Sequence, residues 1–332
     1  MDPIGNIAPS DIAAARQRIA GAAVRTPLIP LDLGTNPTTR GRGGVWLKLE
    51  CLQPIGSFKI RGAANALARV EPRRLAHGVY TASAGNMAQG VAFAARRMGL
   101  TCRVIVPDSA PQTKIDAIQR LGGTVVPLPY DDWWDVIRSH GHPAERGFFI
   151  HPVSDPDVIA GNGTIGLEIL DELPDVDAVF APYGGGGLSC GIASALRPTR
   201  PEVDIFATEV DTAAPLTASL EAGAPCSIQR TPSFVDGIGG NSVLAEMWPL
   251  ASTLLTGSRV VSIPSVCQAI RLLAEHAHVV SEGAGGSAVA AALQHMDALG
   301  SRAAEERVVA VVSGGNIDTA DLATILEGGV PD

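Results

Sequence analysis

Lys59 is the residue of this chain best suited to covalent amine chemistry. It lies in the run GSFKIRGA, and the sequence has only two other lysines, Lys48 and Lys114. Phe58 and Ile60 flank it, and an amine removed from water has a lowered pKa that leaves its neutral, nucleophilic form available. Lys48 lies instead in VWLKLE, an alternating run typical of an edge or half-buried strand. The alternative is that Lys59 is only an exposed residue on a helix that begins just before it.

Four consecutive glycines, Gly184 to Gly187, are the second chemical feature. A short apolar strand is predicted before them at Val176 to Ala181, and an apolar helix after them at Leu188 to Leu196. Without Cβ atoms, successive backbone N–H groups can converge, and the helix N-terminus adds a favourable field for an anion. The segment therefore predicts a phosphate site. It matches neither common nucleotide signature, because no Lys-Ser or Lys-Thr follows and the spacing G-x-G-x-x-G is not met.

Polar residues beside glycines follow two further predicted strands. SAGNMAQG spans Ser83 to Gly90, and VVAVVSGGN spans Val308 to Asn316. Ligands of open α/β sheets bind at the carboxyl ends of the strands, so both segments are candidates for the same site. Taken alone, each is also typical of a capped helix start, with Ser83 or Asn86 as the cap residue.

Together these motifs resemble the fold-type-II pyridoxal 5′-phosphate enzymes, in particular the threonine and serine dehydratase group that includes serine racemase. The resemblance extends from about Thr26 to Asp318. It implies an α/β fold with two doubly wound open-sheet domains. Residues 1–78 and 150–332 would form a large cofactor-binding domain, and residues 79–149 a small mobile substrate domain. The C-terminal regulatory domain of biosynthetic threonine dehydratases would be absent.

The resemblance also implies which residues bind pyridoxal phosphate. Lys59 would hold it as a Schiff base and Phe58 would pack against its ring. The glycine loop, closed by Leu188, would bind the phosphate. The ring would be contacted by three further residues: Asn86 at the phenolic oxygen, Ser313 at the pyridine nitrogen, and Glu282, in SEGAGGSA, near the ring and the substrate amine.

The substrate is expected to be an amino acid bound by the loop Ser83, Ala84, Gly85 and Met87. Histidine usually follows the asparagine of this loop in the group, so Met87 predicts a less polar or bulkier substrate than serine or threonine. Racemases of the group have a serine acid where Ala84 stands, so racemisation should be weak or absent. Asp236, in the segment SFVDGIGG, is a further candidate for contact with the substrate side chain, and a plain loop is the alternative.

The residue types themselves favour β-elimination. A serine at the pyridine nitrogen cannot hold a full positive charge there as an aspartate would, so the leaving group should depart soon after the α-proton. Lys59, displaced by the substrate amine, would be the base. We expect a β-hydroxy amino acid to yield a 2-oxo acid and ammonia.

The alternatives are a β-replacement synthase, a racemase, and a dehydratase of larger compounds such as phenylserine or hydroxyectoine-derived substrates. Outside enzymes, the alternative is a small-molecule binder. The joint presence of Lys59, Asn86, the four glycines and Ser313 weighs against a binder.

No metal site is expected, and Glu209 and Ala213 are only weak candidates for one. Glu209 and Ala213 resemble two contributors to the divalent-cation site of the group, but Pro215 occupies what is commonly a third, acidic ligand position. A hard cation prefers several oxygen ligands.

Composition sets the remaining expectations. A chain of 332 residues with 46% apolar residues can form a sizeable core, and it has no apolar run long enough to span a membrane. A net charge of −9 argues against a nucleic-acid partner. Five cysteines without paired spacing, and a start MDPIGNIAPSD without the features of a signal peptide, predict a cytoplasmic protein. We expect a homodimer.

Overall fold

The computed structural model describes residues 2–33 and 43–331. The strands are β1 Leu28–Pro30, β2 Gly44–Lys48, β3 Val79–Ala82, β4 Cys102–Pro107, β5 Gly123–Leu128, β6 Phe148–Phe149, β7 Ala178–Pro182, β8 Asp204–Val210, β9 Gly257–Val261 and β10 Arg307–Val311. The α-helices are α1 Pro9–Arg18, α2 Lys59–Arg69, α3 Asn86–Arg97, α4 Gln112–Arg120, α5 Tyr130–Arg138, α6 Pro156–Glu172, α7 Ser189–Leu196, α8 Pro215–Ala222, α9 Trp248–Leu254, α10 Ile263–Leu272, α11 Gly283–Leu299 and α12 Thr319–Leu326.

The strands form two open sheets. The larger has the order β1-β2-β10-β7-β8-β9 and is parallel except for β1, which pairs antiparallel with β2. The smaller has the order β5-β4-β3-β6 and is parallel throughout, and its strands all lie within residues 79–149. The prediction of two doubly wound sheets is confirmed.

The larger sheet is covered on both faces. Val179 and Ala181 of β7 pack into the cluster that contains α6 and α7, whereas Ala178 and Phe180 pack into the cluster that contains α10 and α11. Every residue of β7 is buried, as is typical of a parallel strand between two helical layers. Among the described residues, no helix combines the length and apolar character that crossing a bilayer requires.

Two sequence predictions about helix and strand limits are wrong. The amphipathic run from Ser10 to Ala23 predicts a first helix with Ser10 or Asp11 as its cap. The helix instead runs from Pro9 to Arg18 and has no side-chain cap. Proline suits the first turn because its missing N–H would have no partner there. The apolar run from Val260 to Ile263 predicts a later strand. The observed strand β9 ends at Val261, and Ser262 caps α10 by accepting a hydrogen bond from the backbone N–H of Ser265.

Lys48 is not on an edge strand. β2 lies between β1 and β10, and the Lys48 ammonium is fully buried, donating to Glu168 Oε2 and to the carbonyl of Thr26, each at 2.6 Å. Arg61, also buried, donates to Glu50 and Glu168 at 2.7 to 2.8 Å. This buried ion cluster joins β2, α2 and α6, and it therefore fixes the helix that begins at Lys59.

Candidate active site

The amine of Lys59 is partly buried at the first position of α2. Its Nζ donates to the carbonyl oxygen of Pro152 at 3.1 Å and lies 5.2 Å from the centroid of the Phe58 ring. Burial lowers the pKa of Lys59 to about 8, and the charge of Glu282 opposes that shift. The amine is thus available as a neutral nucleophile or base near neutral pH, and it does not lie on an exposed helix face.

The backbone before Lys59 pairs with the segment after β10. Ser57 forms an antiparallel bridge with Gly314, Phe58 N donates to Ser313 O at 3.0 Å, and Gly315 N donates to Gly56 O at 2.8 Å. Ser313 is buried. This pairing brings the candidate lysine and the candidate serine to the same end of the larger sheet.

The glycine loop follows β7, the neighbour of β10, and leads into α7. A Cβ on Gly184 would lie 2.8 Å from the carbonyl oxygen of Gly237, and one on Gly185 would lie 2.6 Å from Val153 Cγ1. Gly186 has a φ of +94°, which a larger residue rarely adopts. In the described part of the chain, no backbone acceptor faces the N–H groups from Gly184 to Leu188. Such a row of donors beside a helix N-terminus fits a phosphate.

One short turn joins the lysine to the glycine loop. Pro152 provides the carbonyl that accepts from Lys59, and the next residue, Val153, lies beside the glycine loop. Val153 Cγ1 would be 2.6 Å from a Cβ placed on Gly185, and the Val153 carbonyl oxygen would be 3.3 Å from one placed on Gly187. Neither residue was identified from the sequence. A backbone carbonyl and a packing valine carry no chemical motif, so no sequence signal could have indicated them.

Asn86, Glu282 and Asn316 form a hydrogen-bonded chain. Asn86 Nδ2 donates to the two carboxylate oxygens of Glu282 at 2.8 and 3.0 Å, and Asn86 Oδ1 accepts from Asn316 Nδ2 at 2.7 Å. Burial raises the pKa of Glu282 to about 7, although the hydrogen bond from Asn86 opposes this. Glu282 can therefore gain or lose a proton near neutral pH. In the sequence, Asn316 is only the last residue of the run SGGN, and no sequence prediction gives it a role of its own in the site.

The loop expected to bind the substrate carboxylate lies at the carboxyl end of β3. Gly85 precedes α3 as its N-cap and provides no side-chain cap, so neither Ser83 nor Asn86 caps the helix. Ser83 Oγ instead accepts from the N–H of Gly85 at 3.2 Å, and the space beside Gly85 is open for 4 Å. An uncapped helix start beside open space suits a carboxylate.

The Met87 side chain does not line this substrate loop. Its side chain is 2% exposed and packs in the core cluster that contains Val91 and Ile60. The neighbouring Ala84 is half-buried. The expectation of a bulkier substrate therefore loses its basis, because the side chain on which it depended is directed into the core.

Asp236 forms an ion pair with Lys114, at the beginning of α4. The next residue, Gly237, lies between the glycine loop and α11. Its carbonyl oxygen would be 2.8 Å from a Cβ placed on Gly184, and a Cβ placed on Gly237 would be 3.4 Å from Ala284 Cβ. The pair therefore links the unit of residues 79–149 to the segment that borders the glycine loop. Lys114 is a fourth residue, after Pro152, Val153 and Asn316, that the sequence did not assign to the site.

Glu209 uses its carboxylate within the fold. It accepts from the N–H groups of Leu216 and Thr217 at 2.8 Å, from the Thr217 hydroxyl at 2.7 Å and from the Ser258 hydroxyl at 2.9 Å. Three of these donors lie in the first turn of α8, which the carboxylate therefore caps, and the fourth, Ser258, lies in β9. Because Glu209 is engaged in this way, it is a poor candidate for a cation ligand.

A second group of potential ligands, His140, His151 and Glu246, lies at the other side of the Pro152 turn. The two imidazoles are stacked, with centroids 4.1 Å apart and planes at 22°. Stacked rings cannot both direct a lone pair in plane at one ion. His151 Nδ1 also already accepts from the N–H of Ser154 at 2.7 Å. This group is therefore no metal site in the geometry observed.

Comparisons with known proteins agree with this geometry. The family model described as pyridoxal-phosphate dependent enzyme matches residues 19–314. The chain belongs to this family. It is 36% identical to the L-threonine ammonia-lyase of Thermotoga maritima over 322 residues, which cover 96% of this chain and 78% of that protein. It is 37% identical to the biosynthetic L-threonine dehydratase of Burkholderia multivorans, covering 91% of this chain and 59% of that protein.

Among solved structures, maize serine racemase superposes with a TM-score of 0.85 at 29% identity, covering 97% of this chain and 98% of the other. The chain is thus a member of the fold-type-II threonine and serine dehydratase group, and it is a lyase that uses pyridoxal phosphate.

Proposed function

We propose that the protein is an ammonia-lyase that removes water from threonine, serine or a related β-hydroxy amino acid and releases a 2-oxo acid and ammonia. The observation that carries the proposal is the turn at Pro152 and Val153. Through it, the low-pKa amine of Lys59 and the row of unpaired N–H donors in the glycine loop belong to one site. The names of the relatives support this reaction.

Four groups of this site fit the cofactor. We assign Lys59 to its aldehyde, the N–H groups from Gly184 to Leu188 to its phosphate, Ser313 to its pyridine nitrogen and Asn86 to its phenolic oxygen. Asn316 supports the assignment of Asn86, because its donation to Asn86 Oδ1 fixes the orientation of the amide and leaves Nδ2 as the donor, which faces Glu282 in this structure. When bound, pyridoxal phosphate stabilises the electron pair left at Cα after proton removal.

The substrate carboxylate is assigned to the beginning of α3, where Gly85 borders open space and no side chain caps the helix. Lys59 then takes the α-proton, since a base with a pKa of about 8 has an appreciable neutral fraction near neutral pH. The carbonyl of Pro152 holds the Nζ atom while it carries the proton. Glu282, with its pKa of about 7, provides a second site for a proton near the substrate amine.

A substrate panel tests the proposal. Purified protein is incubated with threonine, serine and both diastereomers of phenylserine, and 2-oxo acid and ammonia are measured in parallel. We expect equal amounts of the two products from threonine or serine, and none from Lys59→Ala. Absence of both products from every β-hydroxy amino acid would contradict the proposal.

Amino-acid racemisation is the second candidate function, favoured by the TM-score of 0.85 with maize serine racemase. Against it, Ala84 has a methyl group where the racemases of the group have an acid, and a methyl group cannot exchange a proton. Incubation of one serine enantiomer in deuterated water separates the two functions. Inversion faster than elimination would favour the racemase.

A further inference from the structure

Tyr183, between β7 and the glycine loop, has a buried hydroxyl without a partner. The side chain is fully buried, and no described residue forms a hydrogen bond with its hydroxyl oxygen. An unpaired buried hydroxyl is costly, so such groups usually face an acceptor. Burial raises the pKa of Tyr183 well above its ordinary value, so the hydroxyl retains its proton and is a donor.

The Tyr183 ring lies against the centre of the glycine loop. A Cβ built on Gly186 would be 3.1 Å from Tyr183 Cε2 and 3.3 Å from the hydroxyl oxygen, with Met247 Cε at 3.2 Å. The buried carboxylate that influences this phenol is that of Glu209, and its oxygens already accept four hydrogen bonds. Among the described residues, no acceptor lies within hydrogen-bonding distance of the hydroxyl.

The N–H donors of the glycine loop also lack hydrogen-bond acceptors within the described ranges. The N–H groups from Gly184 to Leu188 have no backbone acceptor in the part of the chain that the structure describes. The Tyr183 hydroxyl oxygen would be 3.3 Å from a Cβ placed on Gly186, at the centre of this row of N–H groups. A hydroxyl and several N–H groups that lie close together and lack acceptors suit one anion with several oxygens.

We propose that the Tyr183 hydroxyl is a further donor to the phosphate bound by the glycine loop, and that it strengthens selection of a phosphorylated cofactor over its unphosphorylated form. This inference rests on the proposed role of the loop. It concerns binding of the phosphate rather than the chemistry at Cα.

The test compares pyridoxal phosphate with pyridoxal. Apoenzyme is titrated with each compound, and dissociation constants are measured for wild type and for Tyr183→Phe, which preserves the ring. We expect about ten-fold weaker binding of pyridoxal phosphate and unchanged binding of pyridoxal, since one hydrogen bond to a charged group is lost. The ³¹P resonance of the bound phosphate should also move in the variant.

Tyr80→Phe is the matched control. Tyr80 is the other buried tyrosine, and its hydroxyl already accepts from the N–H of His142 at 3.0 Å. This control should leave the ratio of the two dissociation constants unchanged. The inference is overturned if Tyr183→Phe weakens both compounds equally, or weakens neither and leaves the ³¹P resonance in place.

Gly185→Ala separates this failure from failure of the loop assignment. Its Cβ would lie 2.6 Å from Val153 Cγ1, so the loop must shift. A folded Gly185→Ala protein with weakened pyridoxal phosphate binding supports the loop, whatever Tyr183→Phe shows. Wild-type affinity in that variant would refute the loop assignment, and the inference about Tyr183 with it.

Discussion

Replacement of Glu282 by glutamine should shift the pH dependence of Lys59 to lower pH. Burial lowers the pKa of the amine from 10.5 to about 8, and the negative charge of Glu282 works in the opposite direction. Because the pKa of Glu282 is about 7, this carboxyl is mostly ionised at pH 8, where Lys59 titrates. Removal of its charge should therefore let the pKa of Lys59 fall below 8.

The fraction of neutral amine in the wild-type protein follows from two pKa values, 10.5 for an ordinary lysine and about 8 for Lys59. With a pKa of about 8, roughly 9% of the amine is neutral at pH 7, compared with roughly 0.03% for an ordinary lysine, a ratio of about 300. The rate at which apoenzyme forms its covalent bond with the cofactor aldehyde should depend on this neutral fraction. It should rise about ten-fold per pH unit below pH 7 and reach a plateau above pH 9.

The assay follows the absorbance band of the covalently bound cofactor after apoenzyme is mixed with pyridoxal phosphate between pH 6 and pH 10. Glu275→Gln is the control, because Glu275 is an exposed carboxylate that pairs with Arg271. Its midpoint should equal that of wild type. A wild-type midpoint near 10, or a higher midpoint in Glu282→Gln, would refute the electrostatic reasoning. Lys59→Ala should show no band.

Three further predictions concern other parts of the molecule. Arg61→Met should lower the free energy of unfolding in urea by about 3–5 kcal/mol because it leaves buried carboxylates uncompensated, whereas Lys48→Met should cost less, since Glu168 keeps its contact with Arg61. Treatment with a chelator should leave lyase activity unchanged, since Glu209 already accepts four hydrogen bonds, and a loss restored by Mg²⁺ would contradict this. Ala84→Ser should increase deuterium-labelled inversion of serine above the wild-type level if the new hydroxyl reaches Cα, and chiral chromatography measures it.

Much of the fold follows from sequence because hydrophobic runs and turn residues are local signals. The run CRVIVP predicts a strand from Cys102 to Pro107, and β4 has these limits. The helix after the glycine loop begins one residue later than predicted. In the site, Lys59 and the glycine loop stand out because their chemistry is unusual for their surroundings. The cytoplasmic location, the homodimer and the division into a large and a small mobile domain stay predictions.

The failures are those of side-chain direction. Met87 stands next to Asn86 in sequence, but successive helical residues point about 100° apart, so one reaches Glu282 while the other enters the core. Lys48 has the pattern of a solvent-facing strand residue and is buried, because a partner 120 residues away compensates its charge. Neither outcome can be read from neighbours in the chain.

The Pro152 turn explains how a backbone carbonyl can remain a fixed part of the site. His151 Nδ1 accepts from the N–H groups of Val153 and Ser154 at 3.1 and 2.7 Å, and its Nε2 lies 3.3 Å from the carbonyl of Ile137. Burial, helped by the stacked His140, lowers the pKa of His151 to about 3. The imidazole thus remains neutral in the folded protein, and Nδ1 remains an acceptor, throughout the range in which Lys59 and Glu282 titrate. In the unfolded chain His151 takes up a proton near pH 6.5, whereas in the folded protein it does so only near pH 3. Its contribution to stability is therefore complete above pH 6.5 and declines as the pH falls from 6.5 toward 3. The turn that holds Lys59, the base of the proposed reaction, is therefore fixed by a group that does not titrate in that range.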